Sequence, residues 1–266
     1  MKNLKMYCVT NKEVNFLDKT SYNIGWVGLD APPANYITCN HQDNIFFKEQ
    51  FYSELTFHYW YWKNKLILND PNWIGFCQKR RFWIKKESLN KNVDNSNYLD
   101  HFLDGAPEEW NNYESIICNP INVNKVKKIK MLKRGFKSLA RDPLIFFDEK
   151  KQSLKFHFDM HHGYGNLSKA ANLLEKDDRE EFLHYINHST NYNPHIMFIA
   201  KSNIANQWFN ALFPWLFRCE KIFGFKNLKG YDTQRLYAYL AERYLSFWFN
   251  KHTKSLNWPW LRFNPN

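Results

Sequence analysis

The chain has 266 residues, enough for one large domain or two small ones with a sizeable core. Its formal net charge of +11 points to anionic partners, whether phosphate-bearing substrates, polyanions or an acidic membrane surface. No zinc-finger, RRM-type or basic-zipper pattern accompanies that charge, which argues against nucleic acid, and no stretch approaches the ~18–20 apolar residues of a membrane span. The N-terminal run Met1–Lys5 lacks the apolar core of a signal peptide. Five scattered cysteines (Cys8, Cys39, Cys77, Cys118, Cys219) form no CxxC pair, as expected of free buried thiols in a reducing cytoplasm.

In chain order, residues 4–10 read as a buried first strand, and residues 18–50 are loop-rich around Pro32-Pro33. Residues 51–68 read as a helix, because Leu55, Tyr59, Trp62 and Leu66 recur at i, i+4, i+7 and i+11. Asp70-Pro71 stops it, and residues 73–77 form a short strand. The stretch 85–110 is polar and Asn-rich, helix plus surface loop, and 115–118 is another strand. Residues 125–141 are the most basic part of the chain, with eight Lys or Arg. A strand is expected at 153–158, a helix at 166–188, a strand at 195–200, and two closing helices at 202–220 and 232–250. Strands alternating with helices predict an α/β fold, a single domain built on a mainly parallel sheet flanked by helices. Residues 253–266 read as an aromatic tail.

Several constellations could carry chemistry. Lys79-Arg80-Arg81 follows a strand end, where open α/β sheets bind ligands, and such cations suit a diphosphate. A solvated basic turn has the same spacing. Glu54 and His58 lie one helical turn apart, as a hydroxyl-binding pair or an ordinary surface pair. If residues 157–161 are extended, His157, Asp159 and His161 share one face, a divalent-ion set; Gly163 and Gly165 argue instead for a loop of hydrogen-bonding histidines. Asp232 stands at the start of a helix apolar almost all round, as an N-cap or as a general base facing a cleft. The acidic pair that would hold a metal–diphosphate is missing after the 73–77 strand. Cations stand there instead.

The run Asp43-Asn44-Ile45, then Glu54-Leu55-Thr56, Tyr59-Trp60, Trp62-Lys63-Asn64, then Ile74-Gly75, Cys77 and Arg80-Arg81 resembles a bacterial glycosyltransferase family. That family was first catalogued as domain of unknown function 4422 and includes galactofuranosyltransferases of surface-polysaccharide assembly. Its pattern reads D-N-I, then E-L-T-x-x-Y-W-x-W-K-N, then I-G-L-C-H-Y-R-R. Met197-Phe198-Ile199, Tyr231-Asp232, Gln234-Arg235, Glu242-Arg243 and Trp248 resemble its later blocks. The chain departs from the pattern at Asn11, where a His is usual, at Gln42, in place of Gly, and at Gln78-Lys79, in place of His-Tyr.

The resemblance implies a GT-A-like nucleotide-sugar fold over residues 1–252 and an inverting transfer, plausibly of galactofuranose from its UDP form, to a capsular or lipopolysaccharide glycan. Thr10, Asn11, Asp43, Asn44, Arg80 and Arg81 would bind the donor, and Asp232 would be the base. Glu54, Tyr59, Trp62, His162, His195, Arg235 and Glu242 would shape the sugar and acceptor site. No metal or other cofactor is expected to be required. The partners expected are a UDP-sugar, a glycan or lipid-linked glycan acceptor and an anionic membrane touched peripherally, which places the protein in the cytoplasm at the inner face of the plasma membrane. The basic stretch 125–141 and Trp258-Pro259-Trp260 are the candidate membrane contacts. Two alternatives stand beside this one: a non-catalytic binder of RNA or acidic glycans, and a metal-dependent hydrolase using His157, Asp159 and His161.

Overall fold

A computed structural model describes residues 3–264. The chain forms two compact units, each discontinuous in sequence. Unit 1 takes the residues up to Asn119, His195–Ala211 and those from Trp248 onward; unit 2 takes Pro120–Pro194 and Leu212–Phe247. The strands are β1 (Leu4–Thr10), β2 (Asn23–Trp26), β3 (Ile37–Thr38), β4 (Trp73–Gln78), β5 (Arg81–Trp83), β6 (Ser115–Cys118), β7 (Ile121–Asn122), β8 (Asn191–Tyr192), β9 (Phe198–Ala200), β10 (Ser255–Trp258) and β11 (Trp260–Arg262).

Unit 1 holds the main sheet, in the order β10-β6-β9-β4-β1-β2-β3, with β5 joined to β4 and β11 to β5. Neighbours along the seven-strand path are parallel except at β9, which runs antiparallel to both β4 and β6. The expected α/β fold, a mostly parallel sheet flanked by helices, is the one found.

Side-chain alternation sorts the two faces of this sheet. Met6, Cys8 and Cys77 join the core on one face with Phe82, Trp83, Phe102 and Trp110. On the other, Tyr7 and Phe76 meet the helix Leu55–Asn64 through Phe57 and Tyr61. Gly25 of β2 allows that close approach, since a Cβ there would lie 2.6 Å from the Phe57 ring. Phe209, from the helix Ser202–Phe223, and Phe249, from the helix Leu236–His252, cover Phe198 on the same face.

The residues read as an aromatic tail belong to the sheet. β10 pairs with β6 and β11 with β5, while Trp258 is buried and its Nε1–H donates to the Ile84 carbonyl at 2.8 Å. Trp258 is thus unavailable to a membrane surface. The expected helix over 51–68 is shorter, Leu55–Asn64, because Ser53 (φ 52°) breaks the chain before it. Residues 85–110 carry only short helical turns, at Lys86–Ser88, Tyr98–His101 and, at the end of the stretch, Glu108–Asn112.

Unit 2 is helical apart from the β7–β8 ladder. The strand expected at 153–158 is instead a helix, Leu154–His162, with the Ser153 side chain accepting from Phe156 N. Leu154, Phe156, Phe158 and Met160 look like a strand in sequence because two i, i+4 pairs interleave. Phe156 and Met160 pack with Met131 and Ile145, while Leu154 and Phe158 are buried as well. The helix expected over 166–188 divides into Asn166–Ala171 and Lys176–His188. The last helix begins at Leu236, since Arg235 (φ −89°, ψ 36°) separates it from the single turn Tyr231–Gln234. Asp232 lies in that turn and does not cap the final helix.

Candidate active site

Parallel β1 and β4 end side by side: Val9 pairs with Gln78, and Lys79 N donates to the Val9 carbonyl at 3.3 Å. Beyond those carboxyl ends, still within unit 1, lies a cavity of about 550 Å³. The segment after β1 contributes Lys12, Glu13, Phe16 and Lys19, and the turn between β4 and β5 contributes Lys79 and Arg80. Tyr98 and Asn264 also line it. Four cations thus face one carboxylate, beside an aromatic wall in which Phe16 stands edge-on to Tyr98 at 5.4 Å. Such a lining is chemically suited to a polyanionic group beside a flat ring.

The turn geometry divides the three consecutive cations. Gln78 pairs with Arg81 across a two-residue hairpin, which leaves Lys79 and Arg80 at its tip. Arg81 belongs to β5 and donates to Gln78 Oε1 at 3.1 Å, away from the cavity lining. Thr10 is buried, and its Oγ1 donates to the Lys12 carbonyl and accepts from Lys12 N, which turns the chain toward the cavity. Asn11 accepts a hydrogen bond from Lys79 Nζ. Two departures from the family pattern therefore touch one another, a Lys–Asn pair where the family has Tyr and His.

Other donor candidates sit elsewhere in unit 1. Asp43 Oδ1 accepts from the Tyr59 hydroxyl at 3.1 Å, and Asn44 Oδ1 caps the following turn at Phe46 N. Both lie outside the cavity lining. Burial, with the Asp43 carboxylate second, pushes the Tyr59 phenol up to about 12. Trp62 donates from Nε1 to Asn206 Oδ1 at 3.0 Å and carries Lys63 Nζ over its ring. Glu54 sits at the N-cap of the Leu55–Asn64 helix.

His58, one turn on, is a core residue and not half of a surface pair. It is 1% exposed and 4.3 Å from the Phe76 ring, and burial lowers its pKa to about 3. His195, with φ 69°, stands edge-on to Trp260 at 4.4 Å.

Unit 2 gathers the remaining candidates. Asp232 Oδ2 forms a 3.0 Å ion pair with Arg134, and its backbone carbonyl accepts from His162 Nδ1 at 2.8 Å. A carbonyl only accepts, so Nδ1 of His162 carries the proton and Nε2 is left as the acceptor. The His162 ring stacks on Tyr239 at 3.7 Å, and burial holds its pKa down at about 4. Glu242 binds Arg243 Nη1 at 2.6 Å, while Arg243, fully buried, places its guanidinium 3.8 Å over Tyr192. Arg235 is partly buried in the break before the last helix.

His157, Asp159 and His161 do not form the metal set expected of an extended segment. On the Leu154–His162 helix the two histidines lie one turn apart, their rings tilted at 51° with centroids 4.8 Å apart. Asp159 turns to Lys155 Nζ and Gly165 N. His157 Nδ1 faces Arg243 and His161 Nδ1 faces Arg134, so both rings accept and stay neutral. Burial first, then nearby cations, lowers their pKa values to about 2 and about 4. Among the described residues no three His, Cys, Asp or Glu are grouped to hold a metal ion.

Arg134, Lys12 and Lys19 were not singled out by sequence reasoning as site residues. The only signal for Arg134 was its place in the basic stretch; Lys12 and Lys19 follow a strand end, a position that itself marks candidates.

The cation-lined cavity lies at the carboxyl ends of parallel strands, the place where open α/β sheets bind their ligands. A solved structure described as the apo form of the bifunctional glycosyltransferase WbbM has the same fold, with a TM-score of 0.72 at 18% identity, over 99% of this chain. This chain spans 46% of the length of that one. The profile of the family described as Domain of unknown function (DUF4422) matches residues 5–254, and the chain belongs to that family. No curated protein sequence matches it.

Proposed function

We propose that the chain is a nucleotide-sugar-dependent glycosyltransferase. The observation that carries this reading is the cation-lined cavity beyond parallel β1 and β4, in a fold shared with a solved glycosyltransferase. In this reading Lys79 and Arg80 bind the donor diphosphate and Tyr98 borders its base. The donor is UDP-galactofuranose, the acceptor a hydroxyl of a capsular or lipopolysaccharide glycan, free or lipid-linked, and the anomeric centre inverts. The protein would work in the cytoplasm at the membrane face.

The chemistry needs one base and one charge sink. Asp232, held by Arg134, takes the acceptor proton as the hydroxyl oxygen attacks the anomeric carbon. The bond to the diphosphate oxygen breaks, that oxygen keeps the electron pair, and the cations offset its charge. Cations where an acidic pair would otherwise hold a metal–diphosphate support a metal-independent transfer. Activity unaffected by EDTA is expected, and its loss would overturn that part.

A thermal-shift panel of nucleotide sugars, followed by UDP calorimetry, tests the whole, since a ligand bound only to the native state raises its melting temperature. Arg80→Glu should weaken UDP at least about tenfold through loss of a charge-assisted contact. Asp232→Asn should leave UDP binding intact and slow transfer by about 10²–10⁴-fold. Unaltered UDP affinity in the first variant, or unaltered turnover in the second, removes that residue from its role.

A further inference from the structure

The basic segment of unit 2 combines exposed charge with exposed apolar side chains. Residues 125–141 carry eight Lys or Arg and no Asp or Glu, and all eight are exposed. Interleaved with them are Ile129, Leu132 and Phe136, exposed by 69%, 58% and 59%, and Phe147 follows at 77%. The unit does not need these side chains for its interior. From the same segment Met131 turns inward to Ile145, Phe156 and Met160. Ile129 and Leu132 lie three apart on the Lys128–Arg134 helix and share its outer face. The Phe136–Arg141 helix packs beside it and against the turn Pro143–Phe146.

We propose that this segment is a docking surface for an anionic phospholipid membrane. Exposed aliphatic and phenyl groups enter the boundary between headgroups and acyl chains, while the surrounding lysines meet the lipid phosphates. The pattern separates this occupant from the two others a basic face could take. Single-stranded nucleic acid is gripped by cations and stacked aromatics; it could use Phe136 and Phe147 but would leave the exposed aliphatic side chains of Ile129 and Leu132 in water. A second copy of the chain on a two-fold axis would set eight cations against eight, a like-charge arrangement that opposes association. Only an acidic, partly apolar surface satisfies both kinds of side chain. For a transferase whose acceptor is lipid-linked, such a surface would hold the enzyme where its acceptor is. The docking itself does not depend on that reading.

Flotation with vesicles tests it. The full chain should bind vesicles one-third phosphatidylglycerol and two-thirds phosphatidylcholine at least about tenfold more tightly than pure phosphatidylcholine. Ile129→Ser with Leu132→Ser and Phe136→Ser should lower that binding about tenfold while keeping the melting temperature, since all three side chains are exposed. Lys127→Glu with Lys130→Glu and Lys133→Glu should abolish the preference for acidic lipid, and this variant decides the matter if the serine variant does not fold.

Equal binding to both vesicle types, or to neither, overturns the proposal. So does a serine variant that floats like the parent, an RNA oligonucleotide bound more tightly than vesicles at the same salt, or a dimer that the serine changes dissolve. Neither nucleotide binding nor turnover enters these measurements, so failure here is distinct from failure of the transferase reading.

Discussion

His58 offers a quantitative test of how the helix Leu55–Asn64 is packed. The ring is fully enclosed by Phe76, Phe198 and Phe209, and its buried Nδ1 has no hydrogen-bond partner. Burial lowers its pKa to about 3, against about 6.5 in an unfolded chain. Because the folded value is the lower one, the unfolded state binds the extra proton as pH falls. Stability is therefore untouched above pH 6.5 and declines below it, down to the folded pKa. Each pH unit inside that window costs about 1.4 kcal/mol, so between pH 7 and pH 5 the loss is about 2 kcal/mol.

For a chain of this size that loss is a fall of roughly 4–8 °C in melting temperature attributable to one residue. His58→Leu removes the titrating group without leaving an orphaned partner. Its repacking cost is the same at both pH values, and the other histidines titrate alike in parent and variant. The difference between parent and variant melting shifts thus isolates His58. Differential scanning fluorimetry at pH 7 and pH 5 suffices. Parallel pH dependence in the two proteins would refute the burial argument.

Asn11→His and Lys79→Tyr together should restore the family pair at the cavity rim, whereas each alone leaves an unmatched partner; a double-mutant cycle on UDP affinity should show a coupling of about 0.5–3 kcal/mol, and additivity would rule out the pairing. Gln42 holds φ at 56°, where the family has glycine, so Gln42→Gly should raise the melting temperature by about 1–4 °C as strain relief outweighs glycine's entropy. Gly25→Ala would press a methyl group to 2.6 Å from the enclosed Phe57 ring; a destabilisation of about 1–3 kcal/mol is expected in urea unfolding, and an unchanged midpoint would show that the helix can retreat.

What the sequence disclosed was local. The Leu55–Asn64 helix, β1, β4 and the Lys79-Arg80 turn were legible because their periodicity and punctuation lie within a few residues. β10 and β11 were not, since each is held by a partner more than a hundred residues away. The Leu154–His162 helix was hidden by two i, i+4 pairs that together imitate a strand. The cavity was half legible: its rim of cations follows a strand end, but Lys12, Lys19, Tyr98 and Asn264 come together only through the sheet order. Likewise nothing around Asp232 announces Arg134, ninety-eight residues earlier in the sequence, as its ion-pair partner.

The departures from the family pattern sort themselves by what surrounds them. Gln42 replaces a glycine at a left-handed backbone position, which concerns conformational strain and not a ligand. Gln78 is 8% exposed and holds Arg81 in β5, so its effect stays within the hairpin. Asn11 and Lys79 are different, because they bond to each other and Lys79 lines the cavity. A tyrosine there would present a ring and a hydroxyl, whereas Lys79 presents a positive charge tethered by an amide oxygen. Of the departures, this pair alone reaches the cavity, so under the proposed transferase function a donor preference peculiar to this chain would be set at Asn11 and Lys79.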